Sequence, residues 1–229
     1  MSRTRALRLE IPIMAGMLAC FAFGAGATGQ ASPHNTGLPD AASATDIAYP
    51  VNSTTTGLVA LLLTVDASGS VQSTSVLKDT PPLTASAEAA IQKWKFTAGG
   101  FHGKAATTLL PVYIVFNPYN PAGTAPVSGG LQAPPAIPPH WSSGVPPQVR
   151  LASYAMYPPN TLATGTVVLS VDVNRSGHAT HIRVVHGVSP LRDAALDVVK
   201  QWGFQPATAG GDTVAGRICI AFVFQRNLS

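Results

Sequence analysis

The sequence predicts an α+β protein of two small domains, each an antiparallel sheet of about three strands with one helix packed across it. Three observations predict this. Residues 157–224 read as strand, turn, strand, helix, strand; the same landmarks occur earlier at a constant separation of 108 positions; and a Pro-rich stretch divides the two sets.

The later set is the clearer. Residues 165–173 (GTVVLSVDV) alternate apolar and polar side chains and read as a half-buried strand. Asn174, Arg175, Ser176 and Gly177 are turn residues, and 180–185 form a second short strand. Ser189 and Pro190 then open a helix, Ser189 as N-cap and Pro190 at the first helical position. Leu191, Ala194, Ala195, Val198, Val199 and Trp202 make one apolar stripe at helical spacing. Trp202 to Pro206 (WGFQP) ends the helix, Gly210 and Gly211 punctuate, and 217–224 form a last strand rich in β-branched and aromatic residues.

The earlier set keeps the register without a slip. Tyr49-Pro50 precedes Tyr157-Pro158 by 108 positions, and Gly57, Gly69, Pro82-Leu83, Trp94, Phe96 and Phe116 stand at the same distance before Gly165, Gly177, Pro190-Leu191, Trp202, Phe204 and Phe224. Tryptophan is rare and the offset is constant, so the chain carries an internal duplication. The first copy is expected to place strands at 58–65, 71–77 and 109–116, and a helix near 85–94 with Thr84 as N-cap.

These residues resemble the C-terminal domain of the TonB family. The second copy carries its Tyr157-Pro158, Gly165-Thr166-Val167, turn Gly177, Leu191-Arg192-Asp193-Ala194-Ala195-Leu196, Trp202-Gly203-Phe204-Gln205-Pro206 and Phe222-Val223-Phe224. The first copy keeps the landmarks but has Lys95-Phe96-Thr97-Ala98 without the exit proline. The resemblance implies an antiparallel sheet with one helix. It also implies that the last strand and the segment before the first strand engage an extended peptide of outer-membrane receptors by strand addition. On this chain that contact falls on Tyr157 and Pro158, and on Arg217, Ile218, Cys219, Ile220, Ala221, Phe222, Val223 and Phe224. A three-stranded sheet leaves an edge strand with unpaired backbone groups, which is the physical basis for such recruitment. Two departures stand against the full analogy. Ala155-Met156 and Ile47-Ala48 precede the two Tyr-Pro pairs where the family often has Gln-Pro, and the Pro-rich spacer lies between the copies.

Residues 1–31 read as a secretory signal. Arg3, Arg5 and Arg8 form a basic start, 11–23 an apolar core, and Ala25-Gly26-Ala27 a small-x-small cleavage site, with Ala31 as a second choice. The competing reading is an uncleaved anchor, as in energy-transducing members of the resembled family, but the apolar stretch is short for a span. Only 10% of the residues are charged, which suits an exported chain. Arg3, Arg5, Arg8 and Glu10 account for +2 of the formal +4, and no basic run with interleaved aromatics appears, so nucleic-acid binding is not expected. Cleavage leaves Cys219 as the single cysteine, a small apolar residue of the last strand or a partner for an intermolecular disulfide. The domain boundaries read from the sequence are a flexible lead-in at 32–43, a first domain at 44–116, a linker at 117–148 and a second domain at 149–229. Pro-Pro pairs bias the linker toward extended polyproline II. Two separately folding units follow as an expectation.

Apparent chemical motifs fail on their own spacing. Asp172-x-Asn174-x-Ser176-Gly177 copies the start of a calcium loop, but Arg183 occupies the position of the closing glutamate, and a hairpin turn is the better reading. His178, His181 and His186 fall on alternate faces of a strand and make no metal site. No nucleophile elbow, phosphate loop or paired-cysteine motif is present. The sequence therefore gives no catalytic residue, metal or cofactor. It points to a non-catalytic periplasmic interaction protein linked to TonB-dependent transport, binding segments of an outer-membrane receptor or other envelope protein. The alternatives are an anchored energy transducer partnered with an inner-membrane motor complex, and an enzyme whose site is not legible.

Trp94 and Trp202 complete the helical stripes and are read as core. Trp202→Ala is expected to destabilise the second copy by about 3–5 kcal/mol, the range for emptying a large aromatic site. A thermal or denaturant midpoint that barely moves would place the indole at the surface instead.

Overall fold

The turns come first, because they fix the hairpins. Asp66 and Asn174 occupy equivalent positions, and each side chain folds back on its own loop. Asp66 Oδ1 accepts the backbone N–H groups of Ser68 and Ser70 at 2.8 and 2.9 Å, and Asn174 Oδ1 those of Ser176 and His178 at 2.9 and 3.0 Å. The Ser68 hydroxyl, followed by these backbone groups, holds the Asp66 carboxyl below the usual carboxylate range. Gly69 and Gly177 follow at φ +86° and +77°, where an added Cβ would lie 2.3 and 2.4 Å from the carbonyl oxygens of Phe96 and Phe204. Glycine is required here both for the left-handed backbone and for the close approach of the turn to the chain leaving the helix. The calcium-like spacing is a hairpin turn, as read from the sequence.

The computed structural model describes residues 37–101, 104–117 and 144–225. The expected signal segment and residues 118–143 of the expected linker lie outside the described residues. The first copy runs β1 (Asp40–Ser43), β2 (Gly57–Val65), β3 (Val71–Lys78), α1 (Leu83–Ile91), β4 (Lys95–Thr97), β5 (Gly99–Phe101), β6 (Lys104–Ala106) and β7 (Thr108–Asn117). After β8 (Gly144–Val145), the second repeats the order as β9 (Gln148–Leu151), β10 (Gly165–Val173), β11 (Ala179–His186), α2 (Leu191–Val199), β12 (Gly203–Gln205), β13 (Ala207–Ala209), β14 (Asp212–Val214) and β15 (Gly216–Phe224). Each copy contributes the expected antiparallel three strands, β3-β2-β7 and β11-β10-β15, and one helix.

The copies begin earlier than the sequence indicates. β1, in the expected lead-in, pairs with β4, and β9 pairs with β12 at the equivalent place. β8, inside the expected linker, adds to β13. The helix starts also differ. Pro82 and Pro190 take the N-cap positions with no side-chain cap. Ser189 Oγ donates to the Asp193 carboxylate at 2.7 Å, and Thr84 Oγ1 donates to Asp79 at 2.6 Å while accepting the Thr80 N–H. Both hydroxyls tie the strand-to-helix connection rather than capping the helix.

The largest departure from expectation is that the two copies share one sheet. β7 and β15 pair in parallel from Val112↔Cys219 to Asn117↔Phe224, giving the six-stranded order β11-β10-β15-β7-β2-β3. The pairing joins residue i to i+107, one short of the repeat offset. The reason is geometric. The two copies present opposite faces, since α1 packs on one side of the sheet and α2 on the other, whereas paired residues point to the same side. Equivalent residues therefore cannot pair, and the register moves by one.

Two cores result. On the α1 side, Val59, Leu61, Leu63, Val112, Ile114 and Phe116 join Leu83, Ala87 and Ile91, and the layer continues into Val168, Cys219, Ala221 and Val223 of the second copy. On the α2 side, Val167, Leu169, Val171, Ile220, Phe222 and Phe224 join Leu191, Ala195, Val198 and Val199, and continue into Leu58, Ala60, Leu62, Tyr113 and Val115 of the first. β10 is thus buried along both faces for most of its length, Thr166 and Ser170 included, rather than half-buried as its alternation suggests. Trp94 and Trp202 lie in these cores, their indole N–H groups donating to the carbonyls of Thr45 and Ser153 at 3.2 and 3.3 Å. Trp202 packs tilted against Phe222, with centroids 5.6 Å apart and the rings at 57°.

Polar groups fix the join. Asp40 of the first copy lies 3.2 Å from Arg217 and 2.7 Å from Arg183 of the second, and Arg217 Nε donates to Asp172 at 2.6 Å. The Arg217 side chain is only 5% exposed, so its charge depends on these carboxylates. Ile47 N–H donates to Thr166 Oγ1 and Thr166 N–H to Asp46, both at 2.8 Å. Asn117 and Ala155 exchange two hydrogen bonds, at 2.9 and 2.8 Å. Tyr113 of the first copy is hydrogen-bonded to the Val149 backbone of the second, and burial pushes its phenol up to about 12.

Two outcomes follow from the shared sheet. When a protease site inserted within residues 118–143 is cut, the halves should co-elute as one particle; elution as two independent species would contradict the shared sheet. Asp40→Asn should lower stability by about 3 kcal/mol, the low end for breaking a buried pair because Asp172 still faces Arg217. An unchanged unfolding midpoint would show that the cluster contributes nothing to the join.

Candidate functional site

The stretch that the sequence marks for partner contact forms the interior of the sheet. All of Arg217, Ile218, Cys219, Ile220, Ala221, Phe222, Val223 and Phe224 are buried. Their strand, β15, pairs antiparallel with β10 from Gly165↔Phe224 to Val173↔Gly216 on one side, and with β7 on the other. The expectation of an open edge here is corrected by that second ladder. The last strands are apolar on both faces, so a neighbour on each side and a layer above and below is their stable environment.

Tyr157 is also buried, its ring edge-on to Phe224 with centroids 5.8 Å apart and its hydroxyl donating to the Ala163 carbonyl. Tyr49 repeats this against Phe116, 5.5 Å away, donating to Thr55. Both tyrosines fix the chain as it enters the first long strand. Pro158 beside Tyr157 is half-buried. Cys219 faces the α1 core, and burial raises its thiol pKa. A thiol so placed is a core residue; an intermolecular disulfide would require the strand to leave the sheet.

Among the described residues the open edges of the six-stranded sheet are β3 and β11, second of the long strands in each copy. They are not alike. β11 carries His181, Arg183 and His186, with Arg183 tied to Asp40 and His186 Nε2 3.3 Å from Asp46. β3 reads Val71-Gln72-Ser73-Thr74-Ser75-Val76-Leu77 before its first charge at Lys78. An uncharged edge of this length lacks the usual protection against strand addition. A groove of about 520 Å³ runs beside it, lined by Gly69, Ser70, Val71, Gln72, Ser73, Thr74, Gln92, Trp94 and Lys95. The matching groove of the second copy, about 490 Å³, is lined by Arg150, Leu151, Ser176, Gly177, His178, Trp202, Gly203 and Phe204. The β3 edge was not singled out by sequence reasoning. The available signal was that residues 58–63 and 109–116 are apolar at nearly every position, which makes β2 and β7 internal and pushes β3 outward.

Among the described residues no group of His, Cys, Asp and Glu is arranged to hold a metal ion, and no helix is long and apolar enough to cross a membrane.

A sequence profile of the Gram-negative bacterial TonB protein C-terminal matches residues 49–118 and again 157–225, together more than half of the chain. Relatives named Protein TonB, from two strains of Xanthomonas campestris pv. campestris, are 35% identical over 77 residues, which covers 31% of this chain and 34% of theirs. The chain thus spans about a third of the length of the curated relatives it matches. No solved structure matches it. With two domain matches that coincide with the two halves of one sheet, the chain belongs to the TonB C-terminal family and carries that domain twice.

Proposed function

We propose that the protein is a non-catalytic interaction protein of the periplasm that takes extended segments of outer-membrane receptors, or of other envelope proteins, by strand addition, in support of TonB-dependent transport. Family membership supports the class of partner, and the basic, apolar and small-residue order of residues 1–31 supports export. The observation that carries the reading is the outer strand β3, uncharged from Val71 to Leu77, with its flanking groove. Backbone N–H and C=O groups of an outer strand supply affinity, and the groove beside it selects side chains. Contact at Arg217 to Phe224 remains part of the proposal only if a partner displaces β7. In the intact sheet the added strand goes to β3, with β11 as the second position.

Isotope-labelled protein titrated with peptides copied from receptor segments that face the periplasm tests this. Shifts should centre on residues 71–78. Neighbouring strand residues point their N–H groups to opposite sides, so one of Ser73→Pro and Thr74→Pro removes an outward donor while leaving the ladder to β2. That variant should stay folded by circular dichroism and lose at least tenfold in affinity. Binding that leaves β3 and β11 untouched, or no binding of any envelope peptide, would remove strand addition at these edges.

A further inference from the structure

The parallel ladder between β7 and β15 does not run the length of either strand. It begins at Val112↔Cys219, whereas β7 starts at Thr108 and β15 at Gly216. Ahead of that point the two strands continue beside their own copies, Thr108 opposite Val65 and Gly216 opposite Val173, but are not laddered to each other. Pro111 stands at the divide. It has no N–H to give, so the direct ladder starts just past it. The sheet therefore forks at its centre.

A cleft of about 530 Å³ occupies the fork, within the size range of ligand sites. Equivalent parts of both copies line it. Pro39 faces it from one side and Pro147 from the other, as do Ala106 and Val214, and Leu109 and Arg217. Its walls are mostly small and apolar. The charges at its base are matched, since Arg217 meets Asp40 and Asp172. Oγ1 of Thr108, a residue of the wall, is buried and has no hydrogen-bond partner among the described residues. The starts of β7 and β15 carry no ladder to each other, and a peptide brings the backbone N–H and C=O groups that a purely apolar molecule lacks.

From this we infer that the fork is a second strand-acceptor site, taking a short, extended, uncharged segment with small side chains from a partner protein, inserted between the start of β7 and the start of β15. It rests on the reading that this protein takes extended segments, and adds an internal place for one, on the axis relating the two copies. The segment continues the sheet where the direct ladder stops, and its side chains meet the alanine, valine and proline walls.

The test uses the full chain and an N-acetylated, C-amidated octapeptide of alternating alanine and valine as probe, beside the receptor-derived peptides above. The probe should shift residues 106–110 and 207–217. Ala209→Trp, at an exposed rim position, and Ala106→Trp should each weaken it at least tenfold with no change in melting temperature. Whichever of Ser73→Pro and Thr74→Pro keeps the ladder to β2 should leave it unchanged. The inference is overturned if the probe shifts only β3 or β11, if both tryptophan variants bind normally, or if 1-naphthol occupies the same residues while the peptide does not. In those outcomes receptor peptides that still perturb β3 leave the functional reading standing. If they too fail to bind, that reading falls with it.

Discussion

The parallel ladder from Val112↔Cys219 to Asn117↔Phe224 is the constraint on which the remaining structure depends. A single copy contributes three strands and one helix to this core, and one helix covers one face of a sheet. The uncovered face of the first copy would present Leu58, Ala60, Leu62, Tyr113 and Val115 to water. Burying a large apolar side chain contributes about 1.5–3 kcal/mol, so a bare face of this kind is costly for a domain of roughly 70 residues. Joining β7 to β15 brings the layer built around α2 across that face, and the layer built around α1 across the opposite face of the second copy. The join also removes the apolar edge that each copy would otherwise expose.

Hydrophobic matching alone would permit the two sheets to slide. The polar groups at the join hold one arrangement. Asp40 reaches two arginines of the other copy, and Asn117 and Ala155 bond to each other in both directions. Such groups are costly when buried unpaired, so any shifted register forfeits them. The one-residue stagger of the ladder has the same effect on the apolar side, because a slip of one would send Ile114 and Ala221 to opposite faces.

This arrangement redistributes what each copy offers to a partner. The last strand of a lone domain is an edge, like β3 or β11 on the other side; here the two last strands neighbour each other, and β3 and β11 stay at the ends of the sheet. Of those, β11 is studded with arginine and histidine and held by Asp40 and Asp46, while β3 carries no charge before Lys78 at its end. Duplication has thus produced a sheet whose two ends differ in chemistry although they descend from equivalent strands. That asymmetry comes from a few substitutions, with Gln72, Ser73 and Ser75 standing opposite Thr180, His181 and Arg183 in the repeat.

Much was legible in the chain itself. The constant offset carried by Tyr, Gly, Trp and Phe fixed the repeat, and periodicity fixed the three long strands and the helix of each copy, because these follow from side-chain pattern along a local stretch. Trp202 was placed in the core by the stripe it completes. The turn at Asn174 was legible from residue type, and its calcium-like spacing was set aside for want of a glutamate. What the sequence could not decide was which strand edges face outward. Residues 217–224 read alike whether β15 ends a sheet or lies inside one, since backbone hydrogen bonds to a strand 107 positions away leave no local periodic signal. Likewise nothing near Asp40 announces that its partners are Arg183 and Arg217; the pairing exists only once two copies are laid side by side. Local pattern determined the elements, and the requirement to cover both faces of a two-sided apolar sheet decided their assembly.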